Sequence, residues 1–313
     1  MQDFNLHMHT TYCDGKDSAE AMTQAAIEEG LSVAGFSGHS FTPHDQSYCM
    51  TREGTLRYIE EIRGLKQKYA GSIRLLLGIE LDRYADTDLS PFDYRIGSVH
   101  YIFSEEGRQK HEAILARHGG GASCGAPDPE VAASDKELEA LVKFKNWCPV
   151  DDYAEDLQRF AENYDGLMTV AEMYYETVGG IVSATGCDII GHFDLITKFN
   201  EPHEIYDTSD ERYIAAWKKA IDRIFGDCAE RYKSGYRNRL EELGVLKAGD
   251  KPVFEINTGA ISKGYRTMPY PAADQIDYIK SKGGVLVLSS DSHAAGTICS
   301  GFDEFADLVN LPL

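Results

Sequence analysis

Histidine and carboxylate residues recur in short clusters along this chain of 313 residues. His7 and His9 are separated by one residue, and Asp291 and His293 repeat that spacing near the other end. Side chains at positions i and i+2 of a β-strand face the same way, so each pair can reach one point. Imidazole and carboxylate groups are ligands of divalent metal ions. The spacing therefore predicts metal binding at two strand ends.

Four further candidate ligands, His39, Glu80, His100 and His192, also stand at or near the ends of predicted strands. Short apolar or β-branched runs predict these strands. The runs are Phe4–His9, Ser32–His39, Ile73–Leu81, Tyr94–Tyr101, Asp188–Phe193, Val253–Asn257 and Val285–Ser290. A histidine that follows one strand is usually structural. The recurrence of ligand types at six strand ends is the stronger signal.

Helical segments separate the predicted strands, which favours parallel pairing because parallel strands need crossover connections. The expected helices are Ser18–Glu29, Thr51–Tyr69, Ala161–Ala184, Ser209–Leu243 and Ala272–Lys282. Seven strands suit a closed or nearly closed α/β barrel better than an open doubly wound sheet, which is the alternative. In such a barrel the carboxyl ends of the strands share one face, where the chemistry takes place. Topology would then gather the candidate ligands.

The number of candidate ligands sets the number of ions. A catalytic zinc usually takes three protein ligands and leaves one position open. Eight residues, with one carboxylate bridging, therefore predict two or three divalent ions, and Asp14 could complete a third site with His39 and His293. We expect Glu80, Asp291 and His293 to be catalytic as well. The predicted ligands are His7, His9, Asp14, His39, Glu80, His100, His192, Asp291 and His293.

Neighbouring divalent ions lower the pKa of a shared water, and the resulting hydroxide can attack a phosphate ester. The ions also neutralise the charge that develops on the phosphoryl oxygens. Arg266 and Lys263 follow the predicted strand Val253–Asn257, and we expect Arg266, with Lys263 as the weaker candidate, to contact the phosphate. Metal-assisted hydrolysis of an amide or amidine is the main chemical alternative.

The composition limits the possible partners and compartments. A formal net charge of −20 disfavours long nucleic acid and anionic membranes as partners. Seven cysteines without a CxxC pair argue against a disulfide framework. No signal segment or apolar run of membrane-spanning length is found. We therefore expect a cytoplasmic protein with a small-molecule substrate, and the sequence does not predict its oligomeric state.

Residues 104–150 do not fit the alternation of strands and helices. Their first half holds Gly119, Gly120 and Gly121, and a charged stretch follows. We expect a long loop excursion with one short helix, within a single domain that covers residues 1–313. A loop of this length is usually functional or mobile. We further expect His44, His111, His118 and His203 to be surface residues.

The order of these motifs resembles that of the polymerase and histidinol phosphatase (PHP) family. The resemblance rests on the His7–His9 and Asp291–His293 pairs, His39, Glu80 in its Gly-Ile-Glu setting, His100, and the run from Gly191 to Asn200. It implies a distorted seven-stranded barrel with up to three zinc, iron or manganese ions, and Glu80 bridging two of them. Many relatives have histidine where this chain has Asp14, so the third site can differ in its metal affinity.

Within that family the chain is most similar to the stand-alone histidinol-phosphate phosphatases. This similarity implies hydrolysis of L-histidinol phosphate in histidine biosynthesis. Three alternatives stay open. They are a PHP phosphoesterase for a nucleotide or another small ester, an amidohydrolase-like deaminase, and a metal-binding scaffold without activity. Deaminases of that kind often carry a carboxylated lysine on a middle strand, where this chain has Glu80.

Overall fold

The computed structural model of the chain describes residues 2–85, 87–118 and 129–311. Its strands are β1 (Phe4–Asn5), β2 (Val33–Phe36), β3 (Arg74–Asp82), β4 (Tyr94–Ser98), β5 (Tyr101–Phe103), β6 (Trp147–Pro149), β7 (Ile189–Ile190), β8 (Val253–Asn257) and β9 (Val285–Ser289). Its α-helices are α1 (Ala19–Glu28), α2 (Arg52–Lys68), α3 (Glu105–Arg117), α4 (Pro129–Glu139), α5 (Ala154–Ala161), α6 (Leu167–Gly179), α7 (Ile181–Thr185), α8 (Asn200–His203), α9 (Glu211–Lys233), α10 (Arg239–Glu242), α11 (Gly259–Ser262), α12 (Ala273–Ser281) and α13 (Phe302–Phe305). Among the described helices, none has both the length and the apolar character needed to cross a membrane.

Seven strands form a parallel sheet in the order β1-β2-β3-β4-β7-β8-β9, so neighbours follow one another along the chain. A bridge between Met8 and Ser292 joins the two outer strands, and the amide of His9 donates to the Ser292 carbonyl at 2.8 Å. The side-chain amide of Gln2 adds two hydrogen bonds to the Leu288 backbone. The prediction of a seven-stranded α/β barrel is confirmed, and the open doubly wound alternative is wrong.

Two of the expected helices are wrong in extent. The expected helix Ala161–Ala184 is divided among α5, α6 and α7, and the expected helix Ser209–Leu243 is divided into α9 and α10. Gly166 precedes α6 with a φ of 79°, and Gly235 follows α9 with a φ of 97°. These values lie in the left-handed region, which glycine adopts without a steric penalty. Because helical periodicity continues on both sides of each glycine, the sequence pattern predicted one continuous helix and missed the turn.

The segment around α10 covers the amino-terminal end of the barrel. Asn238 donates a hydrogen bond to the Asp188 carbonyl, and Arg239 donates one to the Asp93 carbonyl. Asp188 and Asp93 directly precede β7 and β4. The buried side chain of Leu240 joins the apolar cluster that contains strand residues of this region. The opposite end of the barrel, where the strands have their carboxyl ends, is therefore the end available for a site.

Tyr94 fills the interior of the barrel between β2 and β3. Its side chain is fully buried, and its hydroxyl donates a hydrogen bond to the Leu6 carbonyl. A Cβ atom at Gly35 or Gly78 would overlap the Tyr94 ring. The glycines therefore allow an aromatic side chain to lie between two strand backbones.

The segment 104–150 is not a loop with one short helix in its described part. It contains α3, α4 and β6, and β6 pairs antiparallel with β5 outside the barrel sheet. The Arg52 guanidinium forms two 2.8 Å hydrogen bonds with the Asp135 carboxylate, which joins α4 to α2. The glycine-rich residues 119–128 of the expected loop lie outside the described residues. Directly after β6 the chain enters the carboxyl-terminal face of the barrel.

Two histidines that we expected at the surface are buried by this segment. His44 lies among the rings of Tyr101, Phe103 and Trp147, with centroid distances of 4.6, 5.1 and 5.0 Å. Burial lowers the pKa of His44 to about 4, so this imidazole is neutral at pH 7. His111 is also buried, and its Nε2 is 3.1 Å from the Tyr84 carbonyl oxygen. The small apolar cluster that residues of 104–150 form with Tyr84, Tyr101 and Phe103 explains both corrections.

We predict that Gly78→Ala destabilises the protein by about 1–3 kcal/mol, because the added methyl group would overlap Tyr94 in a fully packed interior. Equilibrium denaturation in urea would measure this change. Gly64→Ala on the exposed face of α2 is the matched control, and it should be stabilising by up to about 1 kcal/mol. Equal stability of wild type and Gly78→Ala would contradict the packing described here.

Candidate metal centre

The structure brings all nine predicted ligands together at the carboxyl ends of the barrel strands. We refer to these nine residues as the ligand cluster. The Glu80 carboxylate lies at its centre and approaches five imidazoles. One oxygen, Oε2, is 2.9 Å from His39 Nδ1, 3.2 Å from His7 Nε2 and 3.4 Å from His9 Nε2. The other, Oε1, is 2.8 Å from His192 Nε2 and 3.3 Å from His100 Nε2. Each oxygen of Glu80 thus faces a different set of histidines.

The outer part of the ligand cluster is formed by Asp14, Asp291 and His293. His293 Nε2 is 3.0 Å from Asp14 Oδ2, and His9 Nε2 is 3.1 Å from Asp291 Oδ1. Three groups offer ligand atoms that all lie within 4.8 Å of one another. They are His9, Asp14, His39 and His293; His7, His9 and Asp291; and His39, Glu80 and His100. The first group shares His9 with the second group and His39 with the third. Such shared ligands suit ions that are held side by side.

The backbone fixes where these side chains point. His39 and Glu80 form a parallel bridge beyond the end of β2, so both side chains project from the same rim of the barrel. Asp291 has a φ of 46°, a left-handed value that is rare for residues other than glycine. Such conformations persist where the surrounding structure enforces them, often at functional sites. His293 Nδ1 lies 2.8 Å from the Asp291 carbonyl oxygen, which orients the imidazole.

The cluster contains buried polar atoms that no described group satisfies. His7 Nε2, His9 Nε2 and Glu80 Oε2 are buried, and among the described residues they have no hydrogen-bond partner. His7 Nδ1 is 2.9 Å from Glu255 Oε2, so Nδ1 carries a proton and Nε2 is the nitrogen that faces the cluster. His7 Nε2 and Glu80 Oε2 lie 3.2 Å apart. Imidazole nitrogens and carboxylate oxygens that are buried together are ligands of divalent ions, so the residues fit a metal ion.

The electrostatics of the cluster also favour cations. Burial opposes ionisation of Glu80, but His39, His7 and His100 outweigh it and hold the pKa of Glu80 well below its usual value. Burial likewise opposes ionisation of Asp291, whereas His7 and Lys263 keep its pKa low. Burial and the neighbouring histidines His293 and His39 lower the pKa of His9 to about 3. Ionised carboxylates and a neutral imidazole are the forms that bind metal ions.

A cavity of about 460 Å³ opens above the ligand cluster. Asp14, His39, His100, His192, Asp291 and His293 of the cluster line it, together with two lysines, two further aspartates and several tyrosines. The lysines are Lys198 and Lys263, and the aspartates are Asp151 and Asp152. Lys198 donates to the Asp151 carbonyl at 2.6 Å, and its Nζ is 3.3 Å from the Asp151 carboxylate. The cavity therefore presents both cationic and anionic groups beside the cluster.

The expected contact of Arg266 with a phosphate is not supported by its position. The Arg266 side chain is 7% exposed, and its guanidinium lies 3.6 Å from the Asp194 carboxylate and over the Tyr270 ring. Arg266 is not among the residues that line the cavity, whereas Lys263 is. Lys198 is the cationic residue that the sequence analysis missed. It follows the Gly191–Asp194 motif by four residues, and this spacing was the only sequence signal for it.

We predict that Glu80→Gln strongly reduces the number of divalent ions that the purified protein retains. The amide removes a negative charge and one ligand oxygen at the centre of five imidazoles. Metal content per chain after gel filtration, measured by inductively coupled plasma mass spectrometry, provides the test. Glu60→Gln on the exposed side of α2 is the matched control and should retain wild-type metal content. Wild-type metal content in Glu80→Gln would contradict the central position of this carboxylate.

A chelator should also lower the melting temperature of the wild-type protein. Ions that bind only the folded state stabilise it by mass action. The shift should be much smaller in Glu80→Gln, because that variant has fewer ions to lose.

Known proteins of similar sequence indicate the family to which this chain belongs. The chain is 26% identical to the "Probable histidinol-phosphatase" of Deinococcus radiodurans, over 97% of this chain and 90% of the relative. It is 22% identical to the histidinol-phosphatase of Bacillus subtilis, over 98% and 99% of the two chains. Both relatives are therefore matched along nearly their whole length.

Solved structures share the fold. A proposed histidinol phosphatase of Listeria monocytogenes superimposes with a TM-score of 0.64 at 19% identity, covering 96% of this chain and 99% of that one. The histidinol phosphate phosphatase of Lactococcus lactis, complexed with zinc, L-histidinol and phosphate, gives 0.58 at 17% identity, covering 98% and 92%. The model of the PHP domain matches residues 5–169, which is more than half of the chain. The chain belongs to the PHP domain family.

Proposed function

We propose that this protein is a metal-dependent phosphomonoesterase that hydrolyses L-histidinol phosphate to L-histidinol and phosphate. The observation that carries the proposal is the convergence of nine ligand-type side chains, with Glu80 at their centre, beneath an open cavity. The relatives from Deinococcus and Bacillus bear the name of this activity. The structure from Lactococcus, which was solved with zinc, L-histidinol and phosphate, has the same fold.

The nine residues of the ligand cluster are the proposed ligands for two or three divalent ions, with zinc, iron and manganese as the candidates. Such ions act as Lewis acids toward phosphoryl oxygens and lower the pKa of water in the site. Glu80 contributes by facing two sets of histidines with its two oxygens. Asp291 and His293 line the cavity wall, where the phosphoryl group would meet the cluster.

Lys198 and Lys263 are the proposed contacts for the phosphate. Burial opposes the charge of Lys198, but Asp151 outweighs it and raises the pKa of this lysine, which keeps the ammonium charged. Lys263 lies close enough to Asp291 to influence that carboxylate. Two ammonium groups beside the cluster would balance the negative phosphoryl oxygens of a bound ester.

The same cavity also suits the rest of L-histidinol phosphate, which carries an amine and an imidazole. Asp152 lines the cavity, and its side chain is 41% exposed, so its carboxylate can reach a cationic ligand. Tyr48, Tyr153 and Tyr265 supply aromatic walls for a planar ring. An ammonium group is held by a carboxylate through charge-assisted hydrogen bonds. These side chains would therefore bind the L-histidinol part of the ester.

We predict that the metal-loaded protein cleaves L-histidinol phosphate with a kcat/KM at least about tenfold above that for phosphomonoesters without an amine or imidazole. Phosphate release across a panel of esters, with metal content determined on the same sample, measures this preference. Rapid cleavage of another ester with histidinol phosphate left intact would favour a different phosphoesterase. Ammonia release without phosphate release would indicate a deaminase. No turnover at full metal loading would leave the scaffold hypothesis.

A second prediction concerns the amine of the substrate. Asp152→Asn should lower kcat/KM for L-histidinol phosphate by about two- to fivefold, because a half-exposed carboxylate contributes about 0.2–1 kcal/mol to holding a cation. The variant should leave kcat/KM for p-nitrophenyl phosphate, which has no amine, unchanged. Asp277→Asn on the exposed face of α12 is the control and should affect neither ester. An equal loss for both esters would remove Asp152 from recognition of the amine.

A further inference from the structure

Glu255 is a buried carboxylate that lies directly behind the ligand cluster. It belongs to β8, its side chain is fully buried, and it does not line the cavity. One oxygen, Oε1, accepts hydrogen bonds from the His192 backbone amide at 2.6 Å and from Asn257 Nδ2 at 2.9 Å. The other oxygen, Oε2, is 2.9 Å from His7 Nδ1. All three neighbours of the carboxylate are therefore nitrogen atoms.

The contact with His7 has a consequence for the far side of that imidazole. A carboxylate can only accept, so His7 Nδ1 must carry a proton, and Nε2 is the nitrogen that is left to bind an ion. His7 Nε2 lies 3.2 Å from Glu80 Oε2 and 3.6 Å from Asp291 Oδ1. Only the unprotonated nitrogen of an imidazole binds a metal ion, and the hydrogen bond at the other nitrogen decides which one that is.

We propose that Glu255 is a positioning residue that fixes the Nδ1-protonated tautomer of His7 and so keeps the Nε2 lone pair available to an ion shared with His9 and Asp291. The inference rests on the assignment of His7 as a ligand in the proposed function. It does not depend on which phosphate ester is the substrate. Glu255 would touch neither the ion nor the substrate, and its effect would pass through His7.

The arrangement makes Glu255→Gln more informative than a truncation. The side chain keeps its shape, but one oxygen becomes an NH₂ group. Two neighbours, the His192 amide and Asn257 Nδ2, can only donate at the Oε1 position, so the amide oxygen should occupy that position. The NH₂ group then faces His7 Nδ1, which must become an acceptor. His7 would carry its proton on Nε2, where the ion should bind.

The test measures Zn²⁺ binding to metal-free protein in competition with a chromophoric chelator, without substrate. We expect Glu255→Gln to weaken one ion by about 10- to 100-fold, the usual effect of losing a group that orients a metal-binding histidine. Binding of the other ions should change much less, because His39, Glu80 and His100 form a group without His7. Glu255→Asp keeps the carboxylate and should restore part of the affinity.

Asp188→Asn is the matched control for the loss of a buried carboxylate. Asp188 is buried and accepts backbone hydrogen bonds at the opposite end of the barrel. This variant should bind Zn²⁺ like the wild type, even if its stability falls. Circular dichroism identifies any variant that does not fold. An equal loss of Zn²⁺ affinity in folded Asp188→Asn and Glu255→Gln would overturn the specific role of Glu255.

Nitrogen NMR of the metal-free proteins, labelled at histidine, reports which nitrogens of His7 carry protons. We expect a proton on Nδ1 in the wild type and in Glu255→Asp, and no proton on Nδ1 in Glu255→Gln. The inference would be wrong, and the ligand cluster would stand, if the wild type binds Zn²⁺ and Glu255→Gln binds it equally well. The same holds if Glu255→Gln keeps the proton on Nδ1. Wild-type protein that binds no Zn²⁺ would overturn the proposed ligand cluster as well.

Discussion

The buried carboxylate of Glu80 imposes the main physical constraint on this molecule. Its side chain is 1% exposed, and five imidazoles surround it within 3.4 Å. Removing an ionised carboxylate from water costs several kcal/mol unless opposite charge and hydrogen bonds compensate for it. Divalent ions meet this requirement, and the rest of the structure can be understood as the framework that holds their ligands in place.

That framework distributes the ligands over strands that are distant in sequence. The barrel brings the carboxyl ends of the strands to one rim, and the segment around α10 closes the opposite end. Local devices then orient the individual side chains. The left-handed backbone of Asp291 and the hydrogen bond between His7 and Glu255 are two examples. A site built in this way depends on rigid strands, with loops contributing mainly to the cavity above it.

Residues 104–150 form a unit beside the barrel and lead directly into the wall of the cavity. The β5–β6 pair and the helices α3 and α4 form a small apolar cluster beside the barrel. The chain leaves this cluster at Val150 and places Asp151, Asp152 and Tyr153 in the cavity wall. The side chains proposed to recognise the amine and the imidazole of the substrate thus include residues that directly follow this segment.

The ligands could be predicted from sequence because their position depends on few assumptions. A pair such as His7 and His9 faces one way on any strand, and parallel strands bring their ends together in any barrel. The cationic contacts could not be predicted in the same way. The sequence does not show which carboxylate each basic side chain contacts in the folded protein. Arg266 lies beside the buried Asp194 and away from the cavity, whereas Lys198 lines the cavity. The burial of His44 likewise required Trp147, from a segment in which the sequence predicted a loop.

Anomalous scattering of a metal-loaded crystal, collected on both sides of the absorption edge of the bound metal, tests the role of Glu80 most directly. We expect at least two anomalous peaks per chain, one on each side of the Glu80 carboxylate. One peak should lie within bonding distance of His7 Nε2 and the other within bonding distance of the histidines that face Glu80 Oε1. A single peak, or peaks remote from Glu80, would contradict the claim that this carboxylate organises a cluster of ions.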